Sequence, residues 1–192
     1  MPSNLWLKAI FKRYKMGKAE IRRDIKLQTK TLSLQQSQEQ GRSVIEQLEQ
    51  IVAQRKPQVV ALFAPLPDEI PIGELAQRLK CRVVIPRVEG DDMEFYDYDM
   101  AAMMEGSFGI LEPQDTRLCH AAEIDLMVVP GVAFTSSGNR LGRGKGFYDK
   151  YLSREGFRAY CVGVCYAHQL LEQLPTEPHD KPMDMVVSGN NE

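Results

Sequence analysis

Apolar residues recur along this chain in two patterns. The first is helical: residues 18–28 are charged at helical spacing, and a longer stripe runs Val44, Ile45, Leu48, Ile51 and Val52. Ser33 or Ser37 is placed to cap that second helix, and Pro57 stands just beyond its end. The second pattern is a short unbroken apolar run, as at residues 58–63 (QVVALF), 82–85, 124–129 (IDLMVV) and 159–165 (AYCVGVC). Such runs suit parallel strands buried on both faces. Residues 71–80 and 147–154 read as helices and 93–98 as a further strand. Strands and helices alternating at this spacing predict an α/β fold, a single-domain Rossmann-like, mostly parallel sheet flanked by helices. Ligands of such sheets gather at the carboxyl ends of the strands. The segments to search for chemistry are therefore 64–70, 86–87, 131–146 and 166–168.

Composition narrows the class without changing the picture. With 192 residues, 43% hydrophobic and 26% charged, the chain can bury a sizeable core and is neither disordered nor collagen-like. A net charge of -2 excludes a global pull toward nucleic acid or membrane, so any anion site must be local. Cys81, Cys119, Cys161 and Cys165 show no metal-binding spacing, and three of them sit in apolar runs. Buried free thiols in a reducing cytoplasmic setting are expected, without a structural zinc. No apolar run approaches the ~18 residues of a membrane span. Residues 1–17 read as an N-terminal extension ahead of a domain covering 18–192. Lys8, Lys12, Arg13 and Lys15 among Leu5, Trp6, Leu7, Ile10 and Phe11 are compatible with a targeting peptide, a surface-lying basic helix or a poorly ordered tail.

The densest chemistry lies in residues 130–149, PGVAFTSSGNRLGRGKGFYD. Gly138, Gly142, Gly144 and Gly146 alternate with Arg140, Arg143 and Lys145 directly after a predicted buried strand. Glycine lets backbone N–H groups approach a ligand, and closely spaced cations suit a polyphosphate. From Arg140 to Arg158 six cations face two carboxylates, a local excess of four positive charges that the near-neutral total conceals. The common nucleotide signatures do not fit. A P-loop needs Ser or Thr where Gly146 stands and glycine where Asn139 stands, and a dinucleotide fingerprint starting at Gly142 meets Phe147 at its last glycine.

At Arg140 to Asp149 (RLGRGKGFYD), with Gly131-Val132-Ala133-Phe134 before it, the sequence resembles the 5-formyltetrahydrofolate cyclo-ligases, also called methenyltetrahydrofolate synthetases. Lys18-Ala19-Glu20-Ile21-Arg22, Pro67-Asp68-Glu69-Ile70, GSFGILEP at residues 106–113 and His179-Asp180-Lys181-Pro182-Met183-Asp184 agree in order and spacing. The resemblance implies conversion of 5-formyltetrahydrofolate and ATP to 5,10-methenyltetrahydrofolate, ADP and phosphate, with Mg2+ as cofactor: the formyl oxygen attacks the γ-phosphate, N10 closes the ring, and phosphate leaves. It further implies that Lys18, Arg22 and the loop Arg140, Leu141, Gly142, Arg143, Gly144, Lys145, Gly146, Phe147 and Tyr148 bind ATP. Arg143 and Lys145 are the expected stabilisers of the transferring phosphoryl group. Asp149 and Asp180 are the implied magnesium ligands, with Asp184 a rival to Asp180. Glu69 and Ala64 are the implied folate contacts, with Phe108 and Phe147 as candidates to pack its rings. Phe147 stands where the family often has tyrosine.

Each of these residues also has a plainer reading: solvated cations for Lys18 and Arg22, a helix-dipole partner for Asp149, a helix-entry acid for Glu69, core aromatics for Phe108 and Phe147. A non-catalytic nucleotide- or RNA-binding domain of the same fold is the alternative function. The expected partner is the small-molecule folate, polyglutamylated or not, with no nucleic acid or membrane partner, and the expected state is a cytoplasmic monomer.

Overall fold

Helix α1 (Lys18–Thr29) is the first element of the described chain, with the Glu20 carboxylate accepting the Gly17 N–H at 3.0 Å. The structure, a computed structural model, describes residues 16–106, 111–114 and 116–190. Ile21 and Ile25, one turn apart, are the buried face of α1 and pack on Ala133 and Leu141. Helix α2 (Leu34–Arg55) starts at Ser33, not Ser37: Ser33 Oγ accepts from Gln36 N, and the Gln36 side chain returns the bond to Ser33 N. This reciprocal cap satisfies two N–H groups that an uncapped helix would leave without partners. Lys56, in the left-handed conformation ahead of Pro57, ends it.

The predicted apolar runs become strands. β1 (Val59–Ala61), β2 (Arg82–Glu89), β3 (Asp92–Asp97), β6 (Leu118–Cys119), β7 (Leu126–Pro130), β10 (Tyr160–Cys165) and β12 (Met185–Ser188) form a seven-stranded sheet in the order β12-β10-β7-β1-β2-β3-β6. The first five strands in that order run parallel, while β2-β3 and β3-β6 pair antiparallel. The fold is thus α/β with a mostly parallel central sheet. Alternate residues of β1 serve its two faces. Val60 joins Val44, Ile45 and Leu48 of α2, and Ala61 joins Tyr151 and Leu152 of helix α4 (Phe147–Leu152).

Residues 71–80 depart from the expected helix. Only Leu75–Arg78, here α3, forms a turn of helix. Pro71 and Gly73 disfavour helix, residues 73–74 form a turn, and Ile72 and Leu75 still reach the core. Short paired strands that periodicity does not announce complete the architecture: β4 (Met103–Glu105) with β5 (Leu111–Pro113), and β8 (Ala133–Thr135) between β9 (Arg140–Leu141) and β11 (Leu170–Leu171). Chain order reverses at β1, which lies between β2 and β7. The crevice beyond the carboxyl ends of β1 and β7 is the place such sheets offer a ligand. No helix among the described residues is long and apolar enough to cross a membrane.

Candidate active site

A cavity of about 610 Å3 opens at that crevice, within the range of roughly 300–1,000 Å3 typical of small-molecule sites. Ala64 enters it after β1, and Pro130 and Gly131 enter it at the end of β7. The hairpin β8-β9 then delivers Arg140 and Leu141, and residues 142–146 cross the mouth into α4. Gly144 and Gly146 have φ of +102° and +75°, a region that side chains with a β-carbon disfavour. Lys18 and Arg22 come from one face of α1, and Glu177, His179 and Asp180 from the segment before β12. On the opposite side β2 and β3 contribute Pro86, Val88 and Met93. The cavity therefore has a charged wall and an apolar wall.

Every anticipated site residue within the described part of the chain lines this cavity, and Phe108 lies outside the described residues. Their partners are informative. Arg22 Nε donates to the Gly142 carbonyl at 2.8 Å, tying α1 to the glycine loop. Arg140, with 4% of its side chain exposed, pairs with Asp149 at 2.9 Å and donates to the Pro130 carbonyl at 3.3 Å, while its Nε is buried without a partner. Arg143 does not point freely into the cavity. Its Nε donates to Glu69 at 2.9 Å, and its two terminal nitrogens donate to Asp68 at 3.2 and 2.5 Å. Burial works against the charge on both Arg143 and Asp68. Their hydrogen bonds outweigh it, so the guanidinium pKa rises and the Asp68 carboxyl falls below its ordinary range. Burial pushes the Tyr148 phenol up. Lys145 is exposed and has no ion-pair or hydrogen-bond partner among the described residues.

Lys18 Nζ donates to Asp180 and Glu177, each at 2.7 Å. Burial opposes the ammonium, but these two bonds prevail and raise its pKa; the same pairing outweighs desolvation at Asp180 and lowers that carboxyl. Glu177, His179 and Asp180 present ligand atoms within 4.8 Å of one another, and the Lys18 ammonium already serves that cluster. The two aspartates fit a magnesium ion, which needs only one or two protein carboxylates beside water and phosphate. Asp149 Oδ1 takes only a 3.3 Å bond from Lys181 N–H, and Asp180 Oδ1 has only His179 Nε2, at 3.8 Å. Asp184 is spoken for elsewhere: its carboxylate accepts the Cys161 N–H at 2.7 Å, and it does not line the cavity.

Glu177 and Glu112 line the cavity and Asp68 holds its Arg143, yet sequence reasoning gave none of the three a role. Asp68 and Glu112 lie inside quoted motifs, so their neighbours were a signal. Glu177 carried none, being one acid in a loop.

Residues 14–189 match the model of the 5-formyltetrahydrofolate cyclo-ligase family. The chain is 31% identical over 181 residues to the 5-formyltetrahydrofolate cyclo-ligase of Haemophilus influenzae, covering 88% of this chain and 96% of that one. It is 31% identical over 140 residues to that of Mycolicibacterium smegmatis, covering 67% and 72%. The solved structure of Aquifex aeolicus 5,10-methenyltetrahydrofolate synthetase superimposes with a TM-score of 0.83 at 33% identity, over 92% of this chain and 91% of that one. With sequence, fold and cavity in agreement along nearly its whole length, the chain belongs to the 5-formyltetrahydrofolate cyclo-ligase family.

Proposed function

We propose that this chain is an ATP- and magnesium-dependent enzyme that converts 5-formyltetrahydrofolate to 5,10-methenyltetrahydrofolate, releasing ADP and phosphate. The observation that carries this reading is the joining of the glycine loop 140–149, Lys18 and Arg22, and Glu69 on one cavity with a charged and an apolar wall. ATP supplies the γ-phosphoryl group that turns the formyl oxygen into a leaving group. Asp149 and Asp180 hold magnesium, which offsets phosphate charge.

The chain's own residues bind, orient and stabilise, which is most of what phosphoryl transfer asks of a protein. Lys18 and Arg22 fix the nucleotide from α1. Lys145, unpaired at the mouth, is the cation available to a developing negative charge at no cost to an existing ion pair. Arg143 is held ready by Asp68 and Glu69, and the open apolar wall of Pro86, Val88, Met93 and Phe147 excludes water from the folate ring. A non-catalytic nucleotide- or RNA-binding domain has no need of the acids Glu69, Asp149 and Asp180 that line this cavity beside the basic loop.

The test follows the absorbance of the methenyl product formed from 5-formyltetrahydrofolate, ATP and magnesium at mildly acid pH, where it persists. Product that requires all three components is expected. Folded protein that binds ATP and yields none overturns the proposal.

A further inference from the structure

We propose that Glu112 is the carboxylate that recognises the aminopyrimidinone edge of the folate ring, an assignment that rests on the folate reading above. Five carboxylates line the cavity: Glu69, Glu112, Asp149, Glu177 and Asp180. Four are already ion-paired, Glu69 with Arg143, Asp149 with Arg140, and Glu177 and Asp180 with Lys18. Glu69 is doubly satisfied, since its second oxygen accepts the Leu66 N–H at 3.0 Å.

Glu112 stands apart among the described residues. It lies on β5, is 4% exposed, and accepts a single long hydrogen bond, 3.3 Å, from Val88 N–H. The neighbouring cation, Arg87, donates to the Pro113 carbonyl and gives its other nitrogens to Glu89. The second oxygen of Glu112 rests against Gly106, where any β-carbon would collide with it. Room for this carboxylate is thus built into the backbone. Around it the wall is apolar, with Pro86, Val88 and Met93.

A carboxylate held among apolar side chains with a single long hydrogen bond is costly, and buried polar groups as a rule are better partnered. The missing partner must be flat, must tolerate apolar contact on its faces, and must present two adjacent N–H donors to two carboxylate oxygens. A 2-amino-4-oxopyrimidine ring offers that pair, its ring N–H beside its exocyclic amine, in the geometry by which guanidinium groups meet carboxylates. An adenine edge sets a donor beside an acceptor and satisfies only one oxygen, and a phosphate is repelled. The apolar wall with Glu112 therefore takes the folate ring, and the cationic wall takes the triphosphate.

Calorimetric binding of 5-formyltetrahydrofolate, and of an analogue with a methyl group in place of the 2-amino group, to wild type and Glu112→Gln tests the assignment. Wild type should bind the analogue roughly 10- to 100-fold more weakly than the natural ligand, as sites built around a ligand donor do. Glu112→Gln should bind the natural ligand about 10-fold or more weakly, discriminate the two ligands by less than about 3-fold, and bind ATP as wild type does. Unliganded Glu112→Gln should melt no lower than wild type, because the amide keeps the shape and an acceptor for Val88 N–H and no ion pair is broken. Equal folate affinity in both proteins, unchanged discrimination, or a melting point lowered by several degrees would each overturn the role. Wild-type protein that binds no folate overturns the parent reading and the assignment together, a result distinct from any of these.

Discussion

Removing the Asp149 carboxylate separates its two candidate roles, because its partner Arg140 is one of the most deeply buried cations of the described chain. Arg140 keeps only a 3.3 Å bond to the Pro130 carbonyl once Asp149 is gone, with Nε already without a partner and only 4% of the side chain exposed. Breaking a buried ion pair from one side typically costs about 3–5 kcal/mol. The Asp149 side chain is 21% exposed, so we expect a value somewhat below that range, about 2–3 kcal/mol for Asp149→Ala. For a chain of this length that corresponds to a fall in Tm of roughly 5–10 °C, read by circular dichroism on the protein without nucleotide or metal. Adding Arg140→Met should restore part of the loss, since no charge is then left stranded. A residue that only binds magnesium would leave the Tm of the unliganded protein unmoved. An Asp149→Ala variant melting within about 1 °C of wild type would therefore refute the structural part of the reasoning.

Lys145→Ala should lower turnover on the order of 100-fold, as for a lost electrostatic stabiliser, while leaving Tm unchanged; near-normal turnover reassigns the role. Asp180 has its carboxyl pKa lowered in the folded state from 3.8, so its contribution to stability is present at neutral pH and lost as pH falls through the folded value. Denaturant titrations should show wild type more stable than Asp180→Asn at neutral pH, the gap closing in strong acid, and a gap independent of pH contradicts this. Burial pushes the thiols of Cys119 up to about 11 and of Cys161 and Cys165 up to about 12. A thiol reagent near neutrality should therefore modify half-buried Cys81 first in the native protein, with the other three reacting only on unfolding. Two fast-reacting thiols would show that the core opens more readily than its packing implies.

The long signals in the sequence translate directly. The runs at 58–63, 124–129 and 159–165 become β1, β7 and β10 because a strand covered on both faces leaves no polar positions, and α1 and α2 follow from spacing and from the Ser33 cap. The glycine loop was legible because its residue types are chemically conspicuous. The remainder depends on tertiary pairing. β12 is four residues long and gains its place only by lying parallel to β10. β9 is two residues long and exists because β8 pairs with it. The expected helix at 71–80 has apolar residues at usable spacing but cannot extend through Pro71 and Gly73. At the site, one residue type can be read, yet its partner cannot: nothing local says that Arg143 reaches back 75 positions to Asp68, or that Glu112 is the carboxylate left over.

The bond from Lys18 to Asp180 spans 162 positions, and it sets when during synthesis this molecule acquires its charged wall. Chains emerge from the ribosome amino end first, at about 5–20 residues per second. The glycine loop is therefore made before the segment around Asp180 arrives, and in that interval Lys18 has no opposing acid from residues 177–180. A nascent chain carries an unpaired Lys18 until residues 177–180 are made, then pairs it in the same contact that completes the charged wall. Closure of the site waits on residues far along the chain, so a chain cut before Asp180 forfeits the site even where its central strands are whole.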